Sequence, residues 1–164
     1  MISVDTQVLI WGIKKKATDN RLHMIPRAID FIKNASEQHQ LISIPALVLS
    51  EFLVRYDDAE RQQVLVEMSR RFRILDFNYV ASAIAAKLYS DKSTWQPIRD
   101  QTNSTKQCIK LGISILATAE AHNSSAFYVE DSPLYNSGAA MQKYLKCQVL
   151  NLPPAREKQE SFFE

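Results

Sequence analysis

Three carboxylates stand where a carboxylate is costly. Asp5 follows the β-branched run Ile2-Ser3-Val4, Glu51 lies inside the apolar stretch from Ile44 to Val54, and Asp131 closes Phe127-Tyr128-Val129-Glu130. Such a group is hydrogen-bonded, paired or bound to a cation. Each has an ordinary alternative. Asp5 suits a helix N-cap, Glu51 a buried ion pair with Arg55 or another arginine, and Asp131 the turn before Ser132-Pro133. If the three converge they repel one another and need a cation, and hard oxygen donors suit Mg²⁺ or Mn²⁺. Glu130 and Asp131 point to opposite faces if both lie on a strand, so Asp131 is the expected cleft residue. His23, His39 and His122 are isolated, and Cys108 and Cys147 have no zinc-type spacing. The sequence contains no glycine-rich phosphate loop, nucleophile elbow or dinucleotide fingerprint.

The elements that must position these acids alternate. Strands are expected at residues 2–5, 41–45, 72–77, 126–131 and 147–150. Helices are expected at 6–16, 26–38, 46–56, 58–71, 79–89, 106–122 and 134–145, the last broken near Gly138. The polar stretch 90–104 holds Trp95, Pro97 and Asn103 and reads as a loop, with Trp95 packing locally. About five strands alternating with helices imply an α/β, Rossmann-like, three-layer α/β/α sandwich with mostly parallel strands. In such sheets ligands sit outside the carboxyl ends of the strands, where Asp5 and Asp131 fall. Asp76, also at a strand end, raises a receiver-like phosphoacceptor as an alternative, although no acidic pair follows the first strand.

The 164 residues suit one domain, expected over 1–152 and followed by a polar tail, 153–164. With 46% hydrophobic residues and three glycines, disordered and collagen-like classes are excluded. No apolar run is long enough to span a bilayer, and the opening MISVDTQVLI is not expected to be a signal peptide. Two distant cysteines point to a reduced, cytoplasmic setting. Twenty basic and 18 acidic residues neither demand nor forbid a nucleic-acid partner.

Taken together, the motifs resemble the PIN domain, particularly toxin ribonucleases of the VapC type. Val4-Asp5-Thr6-Gln7-Val8-Leu9-Ile10 is similar to the family's "DTnvli" opening, and Ser50-Glu51-Phe52-Leu53 to its second acidic segment. Ile109 to Ala119, IKLGISILATA, resembles "IKxDxxILATA", and Tyr128-Val129-Glu130-Asp131 the final "xTxD" strand. The likeness runs over 1–152. It implies a PIN-like fold, hydrolysis of RNA phosphodiesters and a carboxylate cleft for Mg²⁺ or Mn²⁺. It assigns Asp5, Glu51 and Asp131 as metal ligands and Thr6 as a supporting hydroxyl. It also implies a protein antitoxin and a homodimer. One position departs: the family's third acid falls at Gly112. Weak metal binding and impaired cleavage are therefore expected, with a catalytically inactive PIN-like module that binds RNA or protein as the alternative.

The expected phosphate contacts are Lys14, Lys15, Lys16, Arg99, Lys106 and Lys110; Lys106 and Lys110 stand one helical turn apart near Gly112. Apolar grooves beside the helices at 26–38 and 58–71 are candidates for an amphipathic partner helix.

Overall fold

The centre of the sheet is built from strands buried on both faces. In the computed structural model, which describes residues 1–156, these are β1 (Ile2–Val4) and β2 (Ile42–Pro45), every residue of which is buried. The outer strands β3 (Arg73–Leu75) and β5 (Gln148–Leu150) keep exposed positions. Beside β1 on its other edge lies β4 (Ala126–Tyr128). All five strands are parallel, in the order β3-β2-β1-β4-β5. Continuous apolar runs such as Ile42-Ser43-Ile44 suit a parallel sheet covered on both faces.

The chain moves outward from β1 through β2 to β3, then returns to β4 on the opposite side of β1. The order therefore reverses between β1 and β4, and a crevice opens at the carboxyl ends of strands at such a reversal. Asp5 follows β1, and Asp131 lies three residues beyond β4. Within the sheet, Ser3 Oγ lies 2.8 Å from Ser43 Oγ and 2.7 Å from Ser124 Oγ, so the buried hydroxyls satisfy one another.

The helices are α1 (Thr6–Leu9), α2 (Met24–Glu37), α3 (Ala46–Leu53), α4 (Asp58–Arg71), α5 (Tyr79–Ser90), α6 (Lys92–Thr102), α7 (Lys106–Ala121) and α8 (Ser132–Met141). The longest, α7, buries Ile109, Ile113, Leu116 and Ala117 and packs against α5, α8 and α3. Burying Ile113 and Leu116 contributes about 1.5–3 kcal/mol each, more than the ~1 kcal/mol that Gly112 costs the helix.

Three expectations are corrected. Residues 92–102 form helix α6, not a loop. Pro97 forfeits one backbone hydrogen bond there, but Trp95 and Ile98, one turn apart, are both buried and hold the helix. Trp95 stacks on Tyr89 with ring centroids 4.9 Å apart, the local packing expected of it, and its Nε1 donates to the Tyr89 carbonyl at 2.9 Å. The helix begun at Thr6 does not run evenly to Lys16. It widens into a π-helical stretch, Ile10–Lys14, and stops at Lys15 in the left-handed conformation, φ 54°. Finally, α8 is unbroken at Gly138 and ends at Met141, followed by a 3₁₀ turn over Gln142–Tyr144.

Gly138 is there for close approach: a Cβ at that position would lie 2.8 Å from both γ-carbons of Val149 on β5. Gly138→Ala gains ~1 kcal/mol of helix propensity. It also forces an overpacking that costs about 1–3 kcal/mol, since a β-branched valine cannot swing aside. A net loss of stability is expected, read as a lower urea midpoint with unchanged m-value.

After β5 the chain lies along α2. Arg27 donates to the carbonyls of Leu152 and Pro153, and Arg156 pairs with Asp30 at 3.1 Å and Glu37 at 3.3 Å. The rest of the expected tail, 157–164, lies outside the described residues. Among the described residues no helix is long and apolar enough to cross a membrane, and both cysteines are free.

Candidate metal cleft at the carboxyl edge of the sheet

Asp5 takes the N-cap position of α1, yet its side chain makes no capping hydrogen bond. It is only 4% exposed. Burial pushes its carboxyl from 3.8 to about 7; Asp131 and Glu51 add repulsion, and the amides of Thr6 and Gln7 offset part of the rise. The apolar strand ending at Val4 delivers this acid to the sheet edge, and the Asp5 amide bonds the Tyr128 carbonyl of β4 at 3.0 Å.

Glu51 projects from α3 and is half-buried. The buried hydroxyl of Thr6 donates to its Oε2 at 2.5 Å. Among the described residues no ion pair joins Glu51 to Arg55; the Thr6 bond stands in place of that alternative. Asp131 does cap a helix: its Oδ2 accepts the Leu134 amide of α8 at 3.1 Å. The strand expected to reach it ends at Tyr128. Glu130 does not line the cleft, and its Oε1 accepts the Leu152 amide at 2.8 Å; since both acids lie beyond the strand, pleat alternation does not decide their directions.

Asp5, Thr6, Glu51, Gly112 and Asp131 all line one cleft of about 540 Å³. Its other wall is apolar, with Val54 (77% exposed), Leu111, Ile115 and Leu134. The space beside Gly112 is taken by Leu134, whose Cδ1 lies 3.0 Å from where a Cβ would stand. Ser137 also lines the cleft, and its buried Oγ has no hydrogen-bond partner among the described residues.

The donors fit a hard divalent cation in kind, since all are oxygens. They fall short in closeness. Among the described residues no three His, Cys, Asp or Glu side chains come together tightly enough to hold an ion. The expectation of acids gathered about one point is therefore corrected to acids sharing one cleft. Their separation has a physical cause: each repels the others, Glu51 is held by Thr6, and Asp131 by the α8 amide.

Of the expected phosphate contacts, none lines the cleft itself, and Lys16 lines a hollow adjoining it. Arg99 is bonded to its neighbour Asp100, with Nε at 2.8 Å. Lys106 and Lys110 are exposed on α7, and none of the three lines the cleft. Lys14 donates to the Arg55 carbonyl and sits 3.8 Å over the Tyr56 ring, a structural post. Sequence reasoning missed Arg55 as a cleft residue and Ser137 altogether. Arg55 could have been found, standing four residues beyond Glu51. Ser137 carried no signal. Asp76 follows the edge strand β3, away from the cleft, and lies 3.3 Å from His122 Nε2.

The five parallel strands flanked by helices, with a crevice at the reversal of strand order, are the PIN-like, Rossmann-type fold that the motifs imply. No family model matches the chain, and no curated protein matches it. Among solved structures it is similar to the crystal structure of VapBC2 from Rickettsia felis bound to a DNA fragment from their promoter. The TM-score is 0.58 at 16% identity, covering 93% of this chain and 100% of that one. At that identity the likeness is one of fold.

Proposed function

We propose that this chain is a Mg²⁺- or Mn²⁺-dependent ribonuclease of the PIN type, the toxin of a toxin–antitoxin pair, with hydrolysis impaired at Gly112. The observation that carries the reading is the meeting of Asp5, Glu51 and Asp131 in one cleft at the strand-order reversal. The Rickettsia felis structure, a VapBC2 assembly, supports an antitoxin partner through likeness of fold. A homodimer belongs to the same proposal.

In this reading Asp5, Glu51 and Asp131 hold the ion, and Thr6 fixes the rotamer of Glu51 through its hydroxyl. When bound, the metal supplies polarisation of a phosphodiester oxygen and a more acidic water. Asp5, poised near neutrality, holds a proton part of the time and releases it as positive charge enters the cleft.

A second reading is favoured by the open spacing of the acids and by Gly112: a catalytically inactive PIN-like module that binds RNA or protein. A Mn²⁺ titration with labelled single-stranded RNA decides between them. Slow cleavage that rises with Mn²⁺ and stops with EDTA is expected. No cleavage at any Mn²⁺ concentration would leave the binding module.

A further inference from the structure

Asp131 stands between two hollows. Beyond it from the cleft lies a trough of about 470 Å³, and the two share Gln7, Arg55, Asp131 and Pro133 in their walls. Three cations line the trough: Lys16, Arg21 and Arg55. They come from two separate segments, the connection after the π-helical stretch and the chain just beyond α3, so their meeting is a product of the fold.

The backbone takes an unusual course to bring two of them there. The helix that starts at Thr6 widens into the π-helical stretch Ile10–Lys14, then stops at Lys15 with φ 54° and ψ 41°. A non-glycine residue in that region costs about 1–2 kcal/mol. Continued helix would carry Lys16 away along the α1 axis. The reversal instead leads into the 3₁₀ turn Asp19–Arg21 at the trough. π-Turns and left-handed residues gather at functional sites, where strain serves placement.

Among the described residues the three cations also have no carboxylate partner, whereas Arg61, Arg99 and Arg156 each pair with one. The acids in the trough are already engaged by amides, Glu130 by Leu152 and Asp131 by Leu134. Three cations without a carboxylate partner among the described residues, in a hollow that opens onto the carboxylate cleft, fit a polyanion continuous with whatever lies there.

We infer that Lys16, Arg21 and Arg55 form the subsite for the phosphates of single-stranded RNA on one side of the cut. The strand then runs from this trough over Asp131 towards Val54 and Leu111. The inference rests on the ribonuclease reading for its ligand class. Contacts of this kind position a strand without reading its sequence.

The test is binding of a fluorescein-labelled single-stranded oligoribonucleotide to the full chain in EDTA, by anisotropy across a salt series. The double variant Arg21→Gln/Arg55→Gln is expected to weaken binding about tenfold. It should also flatten the log–log salt slope by about 1.4, at ~0.7 per lost contact. Both side chains are exposed, so their replacement leaves the core untouched, and an unchanged urea midpoint checks the fold. Arg70→Gln/Arg73→Gln removes the same charge from exposed positions outside both hollows and keeps the parent affinity to within about twofold. RNA binding that is unchanged in Arg21→Gln/Arg55→Gln, or lost instead in Lys106→Gln/Lys110→Gln, overturns the trough and leaves the ribonuclease reading standing. Failure of the parent to bind RNA at low salt overturns both. Loss of binding in the trough variant, in a chain that never cleaves with Mn²⁺, keeps the trough and removes the ribonuclease.

Discussion

Gly112→Asp is expected to raise Mn²⁺ affinity and Mn²⁺-dependent RNA cleavage together, by about one to two orders of magnitude. A unit charge about 4 Å from a unit cation gains ~4 kcal/mol at an effective dielectric of 20. Repulsion from the acids already in the cleft takes back part of that gain. A net of about 1.5–3 kcal/mol corresponds to one to two decades. The backbone can accept the change. A Cβ at 112 would lie 3.0 Å from Leu134 Cδ1, the far end of a side chain able to turn. Ser137, whose buried Oγ has no partner among the described residues, lines the same cleft and offers a donor to the new carboxylate. Without metal the effect reverses. An added negative charge near Asp5, which Asp131 and Glu51 already oppose, should lower the metal-free stability. Calorimetric Mn²⁺ titration and single-turnover cleavage, run on both forms in matched buffer, measure the two gains. Equal cleavage and equal affinity in the two forms would remove Gly112 from any account of activity.

The sheet and most helices were legible because burial left a pattern in the sequence. Ile42-Ser43-Ile44 reads as a fully buried strand, and α4 occupies the expected 58–71, with Asp57 accepting the Glu60 amide at its start. Helix α6 was hidden because Pro97 and its polar neighbours outweighed the one-turn spacing of Trp95 and Ile98, and burial of those two decided the outcome. The π-helical stretch had no local signature, since packing of 10–14 against α2 sets it. The acids of the cleft were legible singly, each by its cost among apolar neighbours. Their meeting was legible only through topology, because strand order, not spacing, sets β4 beside β1. Lys106 and Lys110 were placed near the cleft, although they do not line it, for a simple reason. A lysine on a predicted helix shows its spacing, but not whether its face looks on a cleft. Lys106 and Lys110 face solvent, while Arg55, taken as a neutralising partner for Glu51, lines the cleft and forms no ion pair among the described residues.

Asp5→Asn is expected to stabilise the metal-free protein by a few kcal/mol at pH 8 and by little at pH 4. In the folded chain Asp5 ionises near pH 7, against an ordinary 3.8. Between those values the folded state keeps a proton that the unfolded state releases. Stability therefore falls as pH rises from about 4 to about 7 and stays low above that. At about 1.4 kcal/mol per pH unit, the penalty reaches about 4 kcal/mol. Asparagine removes the charge, keeps the shape and suits the N-cap position equally well. Urea unfolding of both forms across pH 4–8 gives the difference directly. If the gain is as large at pH 4 as at pH 8, its source is packing and not charge. Mn²⁺ supplies the complementary arm: it should stabilise the parent at pH 8, where Asp5 is ionised, and act weakly on Asp5→Asn. A carboxylate that weakens its own fold at neutral pH is one that a neighbouring positive charge would relieve, and the two Mn²⁺ arms measure that relief. Asp5 stands just beyond the central strand β1, as the N-cap of α1, where its charge is costly to the fold.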